Sequence, residues 1–198
     1  MITIDDIAAG LAGRSPERVD PGTEGDAAVA VILHEAAGDT RLLIIERARH
    51  DGDPWSGDLA FPGGRIDPGD ADEQAAATRE TFEEVGLDLS GARFLGRLDD
   101  RPARILPMTI SAFVYAVSDA PDLTLSDEVF DAFWVPVAHL LDDTRHCRHE
   151  LQNDSDLRRF PAIDLLGPGK PLLWGVTYFF LCALLRDVGH ELPSSAPA

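Results

Sequence analysis

Two apolar, β-branched runs, "AAVAVILHE" and "RLLIIERA", stand with only "AAGDT" between them. This pattern predicts a hairpin or a neighbouring pair of strands. Ahead of them, "DDIAAGLAG" predicts a short helix within about residues 2–12, followed by a Pro/Gly/Asp-rich stretch through Gly25. Beyond them, "HDGDPWSGD" has the turn chemistry of a loop, and after "LAFPGG" the period changes from strand to helix. The later runs "ARFLGRLDD", "MTISAFVYAV" and "FDAFWVPV" read as strands, and "AHLLDD" as a short helix. A final helix fits "PLLWGVTYFFLCALLRDVG", and the tail over about 191–198 is expected to be disordered. Residues 172–185 carry no charge, but a bilayer needs about 20 apolar residues, so this helix is expected in a core.

The helix that follows Gly63-Gly64 holds the most concentrated chemistry. Asp70 and Glu73 have the spacing of a capping box, which predicts a helix start near Ala71. At about 100° per residue, Ala75, Thr78, Phe82 and Val85 form an apolar stripe, and Glu80, Glu83 and Glu84 gather on the opposite side. Like charges at i,i+3 and i,i+4 cost roughly 0.2–0.5 kcal/mol per contact, and a divalent cation would remove that cost. A Glu-rich helix face is ordinarily just solvated. Here a Gly-Gly turn, a cap, Arg79 and three glutamates occur together, which points to a site.

Composition narrows what such a site would serve. The 198 residues, 44% of them hydrophobic, suit one domain over 1–198. Acidic residues outnumber basic ones 35 to 17, for a net charge of -18, and Lys170 is the only lysine. That balance argues against a partner of nucleic acid, which rewards a basic face. High-salt adaptation and a GC-rich genome would both produce it. An anionic substrate would be repelled at long range, so local cations must draw it in. Cys147 and Cys182 form no metal or disulfide pattern, and the N-terminus lacks the features of a secretory signal, so a cytoplasmic protein with no membrane partner is expected.

Oxygen-only ligands suit a hard ion, Mg²⁺ or Mn²⁺. Mg²⁺ keeps several waters and takes further ligands from substrate phosphates, so the cluster predicts phosphate chemistry. Arg79 can reach Glu83 one turn on and orient it, and Gly63-Gly64 allow a backbone carbonyl to approach the metal.

The segment ending Arg79-Glu80-Thr81-Phe82-Glu83-Glu84-Val85-Gly86-Leu87 resembles the Nudix box, R-E-U-x-E-E-x-G-U. Its early part, "FPGGRIDPGDAD", is one residue longer than the general form. In that it looks like the coenzyme A diphosphatase branch, as do "SDEVFDAFWVPV" and "LLWGVTYFF". The resemblance implies an α/β fold, a Nudix-type α/β/α sandwich with a mixed β-sheet. It also implies metal-dependent hydrolysis of a nucleoside diphosphate linked to another group X. By position, Glu80 and Glu84 would be principal metal ligands, Glu83 would share a metal or help activate water, and Gly64 would offer its carbonyl. Glu128 is a candidate acid/base or metal ligand from another loop, weighed evenly against a plain surface residue.

The chain departs from the branch in front of the box, where an L-R-x-H-x-G-Q-V-x-F-P-G-G run is usual. Asp53, Trp55 and Asp58 stand in place of Arg, His and Gln. Trp55 is a candidate either to stack on an adenine or to fill a loop core. Arg47 and Arg49 are candidates for replacing the lost positive charge at a phosphate. "RHCRHE", with Arg158 and Arg159, is a second basic group that could hold a 3′-phosphate or pair with nearby Asp. The expected partner is a small nucleotide diphosphate, foremost coenzyme A or an acyl derivative, with a homodimer left open. ADP-ribose, NADH or oxidised nucleotides are the rival substrates, and a non-catalytic nucleotide sensor on the same fold is the rival class.

Overall fold

The paired apolar runs become the two central strands of a sheet buried on both faces. The computed structural model describes residues 1–19, 25–36, 38–50, 56–103, 107–153 and 156–192. In chain order its elements are α1 (Ile4–Leu11), β1 (Ala27–Ala36), β2 (Asp39–Arg47), β3 (Leu59–Ala60), β4 (Gly63–Arg65), α2 (Glu73–Val85), β5 (Arg93–Arg97), β6 (Arg101–Pro102), β7 (Thr109–Ala116), β8 (Val129–Pro136), β9 (His146–Asn153), β10 (Asp156–Ile163), β11 (Leu173–Trp174) and α3 (Gly175–Asp187). The segment "AHLLDD" falls in a 3₁₀ turn over Val137–Leu141. The expected disordered tail lies, from residue 193 on, outside the described residues.

The main sheet runs β3-β2-β1-β7-β5, with β8 also on β2, β4 on β1 and β6 on β7. β1 and β7 are parallel, Val31 beside Val114, while the remaining pairs are antiparallel, so the sheet is mixed. Strand pleating sends alternate side chains to opposite faces. Val31 and Leu33 of β1, Leu42 and Ile44 of β2, and Ala112 and Val114 of β7 join one core with Ile7 and Leu11 of α1 and Leu181, Leu184 and Leu185 of α3. Ala28, Ala30, Ile32, Leu43, Ile45, Phe113 and Tyr115 join a second core with Ala76, Ala77 and Val85 of α2. Helices therefore cover both faces, giving the α/β/α sandwich. Among the described residues no helix is long and apolar enough to cross a membrane; α3 packs its apolar length into the first core.

The polar segment "RHCRHE" forms most of β9, in a small antiparallel sheet ordered β11-β10-β9. Its alternation of charge gives no apolar face to read, so sequence periodicity misses the hairpin. Arg159 pairs with Glu150 across it at 2.9 Å, and Arg145 donates to the carbonyl of Asp164 at 3.0 Å. His146 is buried against the Leu140 carbonyl at 2.8 Å. These contacts are structural.

Two expectations about α2 need correction. The cap is Asp72, which accepts from the Ala75 N–H at 2.8 Å, and the helix starts at Glu73 instead of Ala71. Asp70 is instead drawn to Arg79. The buried face is Ala76, Ala77, Thr81, Glu84 and Val85, while Phe82 is 59% exposed. Small alanines let the helix lie close to Ala28 and Ala30, and this rotates Glu84 inward and the bulky Phe82 out.

A buried ionic network braces β5 and β7. Arg97 donates to Asp100 at 2.7 Å and to Ser111 at 2.8 Å, and lies 5.1 Å over the Phe113 ring. Asp100→Ala takes the nearest carboxylate from a buried guanidinium, leaving it Ser111 and Glu73 at 3.5 Å, and is expected to destabilise by about 3 kcal/mol. Arg159→Ala, at the exposed Glu150 pair, is expected to cost less than about 1 kcal/mol. Urea denaturation checks both, and equal losses would contradict this reading.

Candidate active site

β4 is wedged between β1 and α2, and only glycines fit the wedge. Gly63 has φ 148°, and a Cβ there would stand 2.3 Å from the Ala28 carbonyl oxygen; at Gly64 it would stand 2.5 Å from the Glu80 carboxylate. That closeness lets the Gly63 N–H donate to Glu84 Oε2 at 2.8 Å in a buried position. α2 ends at Gly86, in the left-handed region with φ 69°. Beyond it, the Thr124 and Ser126 N–H groups bond the Val85 and Glu84 carbonyls, both at 2.9 Å, which fixes the segment leading to Glu128.

Arg79 organises the carboxylates around it. Its Nε and Nη2 grip both oxygens of Asp70 at 2.9 Å, and Nη2 also donates to the Arg65 carbonyl at 3.0 Å. Nη1 donates to Glu80 and to Glu83, each at 2.9 Å. The planar fork thereby ties α2 to the strand and turn before it. Asp70 was misread from sequence as a cap; its partner sits nine residues on, beyond the local spacings that capping rules use.

Burial sets the charge state. Glu84 is 3% exposed, and desolvation pushes its carboxyl up to about 7, against the opposing pull of the Gly63 N–H and Arg47 and with further repulsion from Glu80 and Glu128. Glu80 is also raised, by desolvation first and then by Glu83 and Glu128, while Arg79 pulls it down. Glu83 is the outermost of the three, with its side chain 55% exposed. Asp70 is lowered by its bonds to Arg79 and to the Asp67 backbone.

The remaining candidates take distinct places. Glu128 is exposed, sits in the turn directly before β8 and acts on both Glu80 and Glu84 through its charge. Register slips between Glu46 and Arg47, which oppose Asp131 and Val129, so Phe130 is left over in a bulge and stands 66% exposed. Arg47 lies at the end of β2 on the Glu84 side. Arg49 is exposed and packs over Gly57, with Nε 3.4 Å from where a Cβ would be. Trp55 and Asp53 lie outside the described residues. Sequence reasoning overlooked Trp174, which donates to Asp58 Oδ1 at 3.0 Å and stacks on His149; an indole directly before a helix and a carboxylate three residues before Phe61 of the Phe-Pro-Gly-Gly turn were the available signals.

Among the described residues no group of three His, Cys, Asp or Glu side chains is gathered to hold a metal ion. The fit to a cation rests instead on two carboxylates, Glu80 and Glu84, both raised by burial first and by neighbouring carboxylates, and on Gly64 pressed against Glu80. All-oxygen donors of this kind suit a hard divalent ion.

The sequence matches the NUDIX domain family over residues 25–153. It is 32% identical to the human mitochondrial coenzyme A diphosphatase NUDT8 over 76% of this chain and 64% of that protein. It is 39% identical to an uncharacterized protein of Schizosaccharomyces pombe over 58% of this chain and 36% of that one. With the Escherichia coli Nudix hydrolase NudL, itself uncharacterized, it shares 30% identity over 75% of each chain. The chain thus spans between about a third and two thirds of the first two relatives. Among solved structures, a MutT/nudix family protein from Enterococcus faecalis superposes with a TM-score of 0.55 over 96% of this chain and 72% of that one, at 20% identity.

Because Glu84 binds its proton more tightly folded than unfolded, its ionisation opposes folding above pH 7, and the penalty disappears as pH falls toward the unfolded value of 4.5. Glu84→Gln keeps an acceptor for Gly63 without the charge. In chelator it is expected to exceed the wild type in stability by on the order of 1–3 kcal/mol at pH 8, with the gap closing by pH 4.5. Denaturant titrations across pH check this; a pH-independent difference would contradict the buried-carboxylate account.

Proposed function

The chain belongs to the NUDIX domain family, and within it we propose a divalent-metal-dependent hydrolase of a nucleoside diphosphate linked to a group X, with coenzyme A or acyl-coenzyme A as substrate. The products would be 3′,5′-ADP and (acyl-)phosphopantetheine. The observation that carries the chemistry is the buried Glu84 carboxylate, held by the Gly63 N–H beside Glu80 and pushed up by desolvation. The substrate assignment is supported by the human relative and by the Caenorhabditis elegans peroxisomal coenzyme A diphosphatase ndx-8, 34% identical over 62% of this chain and 53% of that protein. The reading takes residues 1–198 as one domain.

Water adds to one phosphorus, the P–O bond to the bridging oxygen breaks, and a proton leaves the attacking water. Glu80, Glu84 and the Gly64 carbonyl would hold the ion, with Glu83 as a further ligand or as a base. A bound Mg²⁺ or Mn²⁺ supplies Lewis-acid charge neutralisation and a lowered pKa for water. Arg79 fixes Glu80 and Glu83 in orientation through its fork. Glu128, whose charge acts on the same carboxylates, would take a proton. Arg47 offsets the anionic field near Glu84, and Arg49 lies at the same strand end to meet a phosphate.

Turnover of coenzyme A, ADP-ribose, NADH and 8-oxo-dGTP with Mg²⁺ and with Mn²⁺, products separated by chromatography, tests the assignment. Coenzyme A is expected to be cut fastest, and Glu84→Gln to lose more than the roughly 10–100-fold typical of an outer-shell change. Preference for another diphosphate would overturn the substrate, and full activity in the variant would overturn the site.

A further inference from the structure

Asp58 links the strand end beside Glu84 to a stack of aromatic rings on the small sheet. The Arg47 N–H donates to the Asp58 carbonyl at 3.0 Å, continuing the register in which Glu46 pairs with Leu59. Cross-strand partners share a face, so Asp58 stands on the Arg47 side of the sheet, where Arg47 draws the Glu84 carboxyl down. Arg49 packs over the neighbouring Gly57. On its other side, Asp58 Oδ1 accepts a hydrogen bond from Trp174 Nε1 at 3.0 Å.

Two further rings accompany Trp174. It stacks on His149 with ring centroids 4.3 Å apart at 23°, and meets Phe160 at 5.4 Å. Leu173 and Ile163, paired with each other, point into the core, so their chain neighbours Trp174 and Ala162 point outward. His149 and Phe160 are cross-strand partners with the parity of Ala162, and share that outward face. All three rings are half-buried and keep part of their surface open. Burial lowers His149, which leaves its imidazole uncharged at neutral pH. The stack is a flat, neutral platform in a chain of net charge -18.

We propose that the outward face of the Trp174–His149–Phe160 stack seats the planar base of the nucleotide substrate. A purine presents a π-face that stacks on aromatic side chains and needs no charged partner. The platform begins at Asp58, so a base lying on it leaves its phosphates toward the strand end that carries Arg47 and Arg49. The Asp58 carboxylate holds the indole in place, and its charge opposes a phosphate resting on the rings themselves. That the base belongs to a substrate rests on the diphosphatase reading; its stacking does not.

The test titrates AMP, ribose 5-phosphate and pantetheine into the full chain with Mg²⁺ while tryptophan fluorescence is followed. AMP is expected to quench it and the other two to leave it unchanged. The quench is expected to vanish in Trp174→Phe, which keeps a ring at that position without the indole. By calorimetry AMP is expected to bind Trp174→Ala at least about fivefold more weakly, the loss of one stacked base, with partial recovery in Trp174→Phe. For the substrate turned over, KM is expected to rise by a similar factor in Trp174→Ala with kcat within about twofold. Should Trp174→Ala fail to fold, the quench in wild type and its loss in Trp174→Phe decide. With turnover intact, quenching by pantetheine, a quench that persists in Trp174→Phe, or AMP bound no better than ribose 5-phosphate would overturn this inference and leave the hydrolase standing. Absence of all turnover with Trp174-dependent AMP binding would do the reverse.

Discussion

The architecture around the site depends on the close approach of three backbones, β1, β4 and α2, with Gly63 and Gly64 at the point of contact. No side chain larger than hydrogen fits there. Because the strand lies so near the helix, a backbone N–H reaches into the space below α2 and Glu84 turns inward to accept it. The buried alanines on both sides, Ala28, Ala30, Ala76 and Ala77, allow that approach. The helix then carries a carboxylate where its pattern calls for an apolar residue, and this conflict between burial and charge is what raises the Glu84 carboxyl.

Arg79 keeps the arrangement rigid. Bonded to Asp70, Glu80, Glu83 and the Arg65 carbonyl, it joins the turn before the helix to the helix itself. A lysine could not hold this many directions in one plane. The exposed Glu83 and the buried Glu84 thus sit in different environments although they are adjacent, and environments that separate two carboxylates also separate their protonation.

The central strands were legible because β1, β2 and β7 are continuous apolar runs, and the box because its residue types and spacing are specific. The face of α2 was not. Hydrophobicity put Phe82 inside and all three glutamates outside, whereas packing against alanines rewarded small side chains and rotated the helix. Asp70 was invisible as an arginine partner because its role depends on a fold-back of nine residues. The β9–β10 hairpin escaped because its charged alternation shows no apolar face, and Trp174 because its contacts with Asp58 and His149 join segments far apart in sequence.

Direct observation of the cation is the most decisive measurement. Mn²⁺ binding followed by electron paramagnetic resonance, at pH 8 and low ionic strength, compares wild type with Glu80→Gln and Glu84→Gln. Saturable binding in the wild type that weakens at least tenfold in each variant is the result the account predicts. Mn²⁺ bound equally well by all three proteins, or by none, would contradict the claim that the buried glutamates of α2 exist to hold a metal.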